Sequence, residues 1–254
     1  MTGSRQRRYA RPLLSAQARR PAAITLACAV LLLAAGAVLV HDQYADPLDG
    51  RFGVWAATGL AGHSKTLQLV ADLGQKVEVI VIVAIICLAC LATRRVNGAV
   101  LAVVGAPAAS VATEKVLKPL AGHLYSYSSY PSGHTTSFFA LITTVAVLLA
   151  GPPSGKTPRM PRTLRVTIVA AAALVGCAIG IAVVGLGDHH FIDTVGGAAV
   201  GIAVVLTATF LLDLPFCRSL LGLSWLARRP PVPDAPLPEA PLPYQADPVA
   251  GEER

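Results

Sequence analysis

Six long apolar runs leave this chain few folds to choose from. Five are clear, at residues 22–40, 96–113, 135–150, 166–186 and 194–214, and a sixth centres on 79–92 and starts near Leu73. Each approaches the roughly 20 apolar residues a helix needs to cross a bilayer. The sixth starts among Lys76 and Glu78, whose side chains must snorkel to the headgroups. The expected fold class is therefore all-α, a polytopic membrane protein with six transmembrane helices in a bundle. A mean hydropathy of +0.60 with only 14% charged residues excludes an ordinary soluble domain.

The net charge of +7 has a topological origin. Basic residues collect on the cytoplasmic side of membrane spans. Here 16 of the 21 lie before the first run, between runs two and three, between four and five, or after the last, against 5 in the other loops. Both termini are thus expected in the cytoplasm of a multi-pass cell-membrane protein, and a nucleic-acid partner is excluded. The first run is too long for the apolar region of a signal peptide. All five cysteines (Cys28, Cys87, Cys90, Cys177 and Cys217) fall within runs or at the cytoplasmic end of the last one, so no disulfide framework is implied.

Residues 1–21 form an Arg-rich cytoplasmic arm expected to be unfolded apart from its attraction to anionic lipid. Residues 22–215 make the membrane domain, with a catalytic core at about 96–215, and residues 216–254 a proline-rich disordered cytoplasmic tail. In the long first outer loop, the apolar stretch from Phe52 to Gly62 suggests a helix lying in the membrane interface.

On this topology His41, His63, His123, His134, His189 and His190 all fall on the outer side, although the cytoplasmic arms are equally wet. Two outer segments hold the rest of the polar chemistry. In the loop at 114–134, Ser132 is a good N-cap for the fourth span, and Gly133 lets a ligand approach the backbone without a Cβ in the way. Such a helix start offers free N–H groups and the positive end of a dipole to a phosphate, with Lys118 as counter-charge. A capped helix with an incidental histidine is the alternative. In the segment 185–197, His189 and Asp193 are four apart, so at the start of a helix the carboxylate can hold the imidazole by its second nitrogen. An oriented, more basic histidine is a nucleophile or base; a simple interfacial polar contact is the alternative.

Lys118, the Pro131-Ser132-Gly133-His134 turn and the His189-His190-Phe191-Ile192-Asp193 stretch, in this order across six apolar runs, resemble the type 2 phosphatidic acid phosphatase (PAP2) superfamily. The likeness extends from about the third run to the sixth. It implies a PAP2-like helix bundle and a phosphatase that needs no metal or other cofactor. By position, Lys118 would contact phosphate, and Ser132 and the Gly133 backbone would cradle it. His134 would be the general acid, His189 the nucleophile, and Asp193 the residue orienting His189. His190 is then a neighbour, because only His189 has the three-residue spacing to Asp193. The family's pattern carries arginine where this chain has Tyr125, followed by Ser126, and again where it has Val183, preceded by Ala182. His123 lies close to the first of these places and joins the substrate-binding set.

The function expected is hydrolysis of a lipid phosphate or polyprenyl diphosphate at the outer leaflet through a phosphohistidine. Two other readings remain open. One is a PAP2-like protein that binds or moves a lipid headgroup without hydrolysing it. The other is a metal-dependent hydrolase with His134, His189, His190 and Asp193 as ligands.

Overall fold

The computed structural model describes residues 12–41, 46–93, 95–125, 129–152, 160–214 and 217. Residues 1–11 of the arm, nearly all of the proline-rich tail, Arg94, Ser126 and the side chains of His41, His123 and Tyr125 lie outside what is described. Every regular element among the described residues is helical. The helices are α1 Ala16–His41, α2 Asp46–Gly59, α3 Ser64–Asp72, α4 Lys76–Ala92, α5 Val96–Val111, α6 Lys118–Tyr125, α7 Gly133–Ala150, α8 Arg162–Gly185 and α9 Phe191–Leu212. Among the described residues five helices are long and apolar enough to cross a membrane, or six if the pair α3 and α4, bent by 43°, counts as one. The chain is a polytopic helical bundle.

Three local details differ from the sequence expectation. The arm is shorter than residues 1–21: α1 already begins at Ala16, and Leu13 and Leu14 are buried in the core. Helix α4 begins at Lys76 and not near Leu73, because Leu73 and Gly74 close α3 by donating to the Val70 and Ala71 carbonyls. The third span does not stop at Thr113. A π-helical turn, Ala112–Leu117, carries α5 into α6, so Glu114, Lys115 and Lys118 stand on a continuous helical stretch and not in a loop. The apolar interface helix expected around Phe52–Gly62 forms as α2, starting earlier, at Asp46.

The core is built on close contact between α7 and α9, with α1 on the other flank of α9 and α5 packed against both α7 and α9. Leu101, Ala140 and Val205 are fully buried there. Leu31, Ile80, Leu88 and Leu174, by contrast, are 66–71% exposed. In water such a surface would drive aggregation; in a bilayer it is the face presented to lipid.

The two ends of the bundle differ in chemistry. At one end, the Arg95 guanidinium donates to the Leu148 and Pro152 carbonyls at 2.8 and 3.1 Å, and Arg165 donates to Leu149 at 3.0 Å. Both cations thereby satisfy orphan carbonyls at the C-terminus of α7, the negative end of its dipole. At the same end the Asp213 carboxylate accepts the Leu13 and Leu14 N–H groups at 2.6 and 3.1 Å, which seats the chain before α1 against the end of α9. The starts of α7 and α9, with His134, His189, His190 and Asp193, lie at the other end.

Candidate active site

The α8–α9 turn is determined locally. Leu186 caps α8 and Gly187 follows with φ +80°, a left-handed conformation that suits glycine. The Gly187 N–H bonds to the Val184 carbonyl and the Asp188 N–H to Val183, the two bonds of a Schellman ending. His189 and His190 follow at once, and His190 is the N-cap of α9. The Asp193 side chain, fully buried in the first turn of α9, accepts the His190 N–H at 3.0 Å. The same Oδ2 lies 3.4 Å from His189 Nδ1 and 3.8 Å from His190 Nδ1. His189 is thus the nearer histidine and is nearly buried, whereas the His190 side chain is 54% exposed. A separation of 3.4 Å is longer than a good hydrogen bond, as catalytic contacts often are before substrate tightens them.

The α7 turn is placed by tertiary contacts. Tyr130 wedges its ring between Gly36 of α1 and Gly196 of α9, and its hydroxyl donates to the Leu33 carbonyl at 2.8 Å. The Ser132 N–H then donates to the Asp193 carbonyl at 2.9 Å, tying the start of α7 directly to the first turn of α9. Ser132 is the N-cap of α7 in position and backbone conformation, as expected. Its side chain does not cap, however: the residue is wholly buried and its Oγ has no hydrogen-bond partner among the described residues. His134, the second residue of α7, faces His189 with ring centroids 6.3 Å apart and ring planes at 70°. A phosphorus atom between two such imidazoles would be within reach of both.

Lys118 also reaches this place. A Cβ built on Gly133 would lie 3.8 Å from Lys118 Nζ, so the ammonium stands over the first residue of α7. The structure therefore brings together Lys118, Gly133, His134, His189 and Asp193, with Ser132 behind them. The backbone of His123 lies in α6; its side chain is outside the described residues. Val183 is fully buried in an apolar cluster with Ala71 and Ala182, against which Leu67, Val70 and Leu186 pack.

Two functional neighbours escaped the sequence reading. Glu114 is one: its carboxylate accepts from Lys118 Nζ at 2.8 Å. A glutamate four residues before a lysine at the end of an apolar run is a legible signal for that pair. The other is Asp49 of α2, 6% exposed, which accepts the Ile192 N–H at 3.0 Å and so holds α2 against the N-terminus of α9. Nothing local in the sequence marks it. Between α2 and the α8–α9 turn lies a cavity of about 770 Å³ whose walls include Gly53, Ser129, Asp188, His189 and His190.

Burial raises the Asp49 carboxyl above its ordinary value of 3.8, and the bond from Ile192 offsets only part of that. The folded state therefore holds this proton more tightly than the unfolded chain. Stability from this group is greatest below the unfolded value and is lost as pH rises from there through the raised folded value. In Asp49→Asn, which keeps an acceptor for Ile192, the thermal midpoint should fall less between about pH 4 and about pH 7 than in the parent. An equal fall in both proteins would show that Asp49 does not titrate in this window.

Among the described residues no group of three or more His, Cys, Asp or Glu side chains is placed to hold a metal ion. The arrangement has what a phosphoryl transfer needs: a buried imidazole backed by a carboxylate, a second imidazole facing it, and a cation at a helix N-terminus. No curated protein and no solved structure matches the chain significantly. A family model does match, over residues 80–213, which takes in most of α4 as well as the stretch from the third span onward that the motifs cover. The chain belongs to the PAP2 superfamily, and its function is of the phosphatase type.

Proposed function

We propose that this protein is a metal-independent phosphatase of a membrane lipid phosphate or prenyl diphosphate, working at the outer leaflet through a phosphohistidine on His189. The observation that carries the proposal is the facing pair His134 and His189, 6.3 Å apart, with the Asp193 carboxylate nearer to His189 than to His190. Asp193 holds the Nδ1 proton, so Nε2 of His189 presents its lone pair to phosphorus. As the N–P bond forms, the bond from phosphorus to the leaving oxygen breaks and His134 gives that oxygen its proton. Water then attacks phosphorus, His134 takes the water's proton, the N–P bond breaks, and inorganic phosphate leaves. Lys118 and the N–H groups at the start of α7 neutralise charge on the phosphoryl oxygens. A substrate whose tail stays in lipid reaches this end of the bundle by lateral diffusion. The outer-leaflet assignment rests on the distribution of basic residues, which puts Arg95 and Arg165 in the cytoplasm.

One observation favours headgroup binding without hydrolysis. Val183 sits in an apolar cluster at a place where the family has an arginine, so a bidentate phosphate clamp is missing there. Phosphate release from a panel of lipid phosphates and diphosphates by the detergent-purified chain, with chelator present, separates the two. Hydrolysis of at least one, unaffected by chelator, is the expected result. Binding of the same lipids with no release of phosphate would establish the second reading instead.

A further inference from the structure

A carboxylate of the chain itself lies against the first residue of α7, beside Lys118. A Cβ added to Gly133 would collide with Glu114 Oε1, which puts that oxygen against the backbone of the first residue of α7. The N–H groups of Gly133, His134 and Thr135 precede the first intrahelical bond, from the Thr136 N–H to the Ser132 carbonyl, and so form the anion-seeking end of the helix. The same Glu114 oxygen accepts from Lys118 Nζ at 2.8 Å. Beside them Ser132 Oγ is fully buried without a partner. Lys118 and the Cβ-free approach of Gly133 therefore meet at one carboxylate, next to the start of α7. Glu114 reaches them from the π-helical turn Ala112–Leu117, a distortion often found at functional sites.

We propose that Glu114 is an internal competitor for the anion seat: its carboxylate occupies the phosphate position in the empty enzyme and is displaced when substrate binds. The proposal rests on the phosphatase function above. It has a physical rationale on both sides of the exchange. In the empty site an unpaired Lys118 near the end of a membrane span is costly, and Glu114 neutralises it. In the occupied site a phosphate brings like charge beside Glu114, so the carboxylate must move away from Lys118 and phosphate affinity is lowered. Weak affinity for the anion speeds release of product. Glu114 is on this view a specificity-determining residue and not a catalytic one.

The test compares the detergent-purified chain with Glu114→Gln, which keeps the side-chain shape and removes the charge, and with Glu114→Ala. Binding of inorganic phosphate is measured by calorimetry, and KM and kcat are measured on the best lipid substrate. Both variants should bind phosphate roughly tenfold more tightly and lower KM to a similar degree, with kcat changed much less. A purely structural glutamate would not tighten anion binding. Unchanged or weaker phosphate binding in variants with the parent's thermal midpoint overturns the competitor role while leaving the phosphatase function intact. Loss of fold in both variants also overturns it, since the carboxylate is then structural. If neither parent nor variants bind phosphate or release it from lipid, the proposal falls together with the phosphatase function.

Discussion

His189→Ala is expected to lower kcat/KM for phosphate release by at least about a thousandfold, the largest effect of any single substitution in this chain. In the proposed mechanism the replacement removes the atom that forms the N–P bond. His190 is the adjacent imidazole, but it is 3.8 Å from the Asp193 carboxylate and half exposed, so its ring is neither oriented nor desolvated in the same way. His134 faces His189 from α7 and, in the proposed mechanism, serves the leaving oxygen. Replacing His134 with alanine should cost about 10²–10⁴-fold, the range for loss of a positioned general acid, and less for a substrate whose leaving group needs no proton. His190→Ala should cost far less than either. The measurements are steady-state phosphate release and an acid-quench for phosphorylated protein, each beside a thermal midpoint. Activity in a folded His189→Ala protein within tenfold of the parent would remove His189 as the nucleophile. A shift of the loss to His190→Ala would reassign the role to its neighbour.

Gly201→Val is expected to destabilise the fold severely, and Gly197→Ala to take activity with it. The two glycines face α7 from α9, one turn apart; the nearest atoms are all backbone at Gly201, and at Gly197 they are the Thr135 side chain and the backbone of Ser132 and Thr136. A Cβ on Gly201 would lie 2.8 Å from the Ala140 nitrogen and 3.1 Å from the Phe139 carbonyl carbon. A Cβ on Gly197 would collide with Thr135 Oγ1 and the Ser132 carbonyl oxygen. Side chains can turn away from an intruding methyl group, but helix backbone cannot, so the helices must part. Overpacking a core typically costs about 1–3 kcal/mol, and a backbone clash lies at the upper end or beyond. At Gly197 the parting occurs where Ser132 bonds to Asp193, the link that aligns His134 with His189. Misalignment there by an ångström can cost roughly a hundredfold in rate. Gly53→Ala on α2 is the stability control, because a Cβ there meets nothing within 4 Å. It should leave the thermal midpoint unchanged or raise it slightly. A Gly201→Val protein as stable as the Gly53→Ala control would show that α7 and α9 do not pack this closely.

What the sequence by itself determined are properties carried by residues near one another in the chain. The helical bundle follows from apolar runs of about 20 residues, because desolvating a span is a sum over its own side chains. The pairing of Asp193 with His189 was legible from their spacing, although His189 precedes the N-cap His190 and stands outside α9, and the α8–α9 turn follows from Gly187. The start of α7 at Gly133, behind Ser132, was equally legible. The tertiary structure alone decided what fills and surrounds these pieces. It set His134 against His189, 55 positions apart in numbering, through the glycine-lined contact of α7 with α9. It drew Asp49 to Ile192 over a separation of 143 residues, and wedged Tyr130 between two glycines on helices far apart in the chain. It buried the Ser132 hydroxyl that the motif alone would place on phosphate, and carried Glu114 against Gly133. The physical reason is one of range. Hydropathy, periodicity and turn geometry act over a few residues, whereas the neighbours of a polar atom at a helix end depend on how closely the helices pack. That distance is decided here by missing Cβ atoms on one helix meeting the backbone of another.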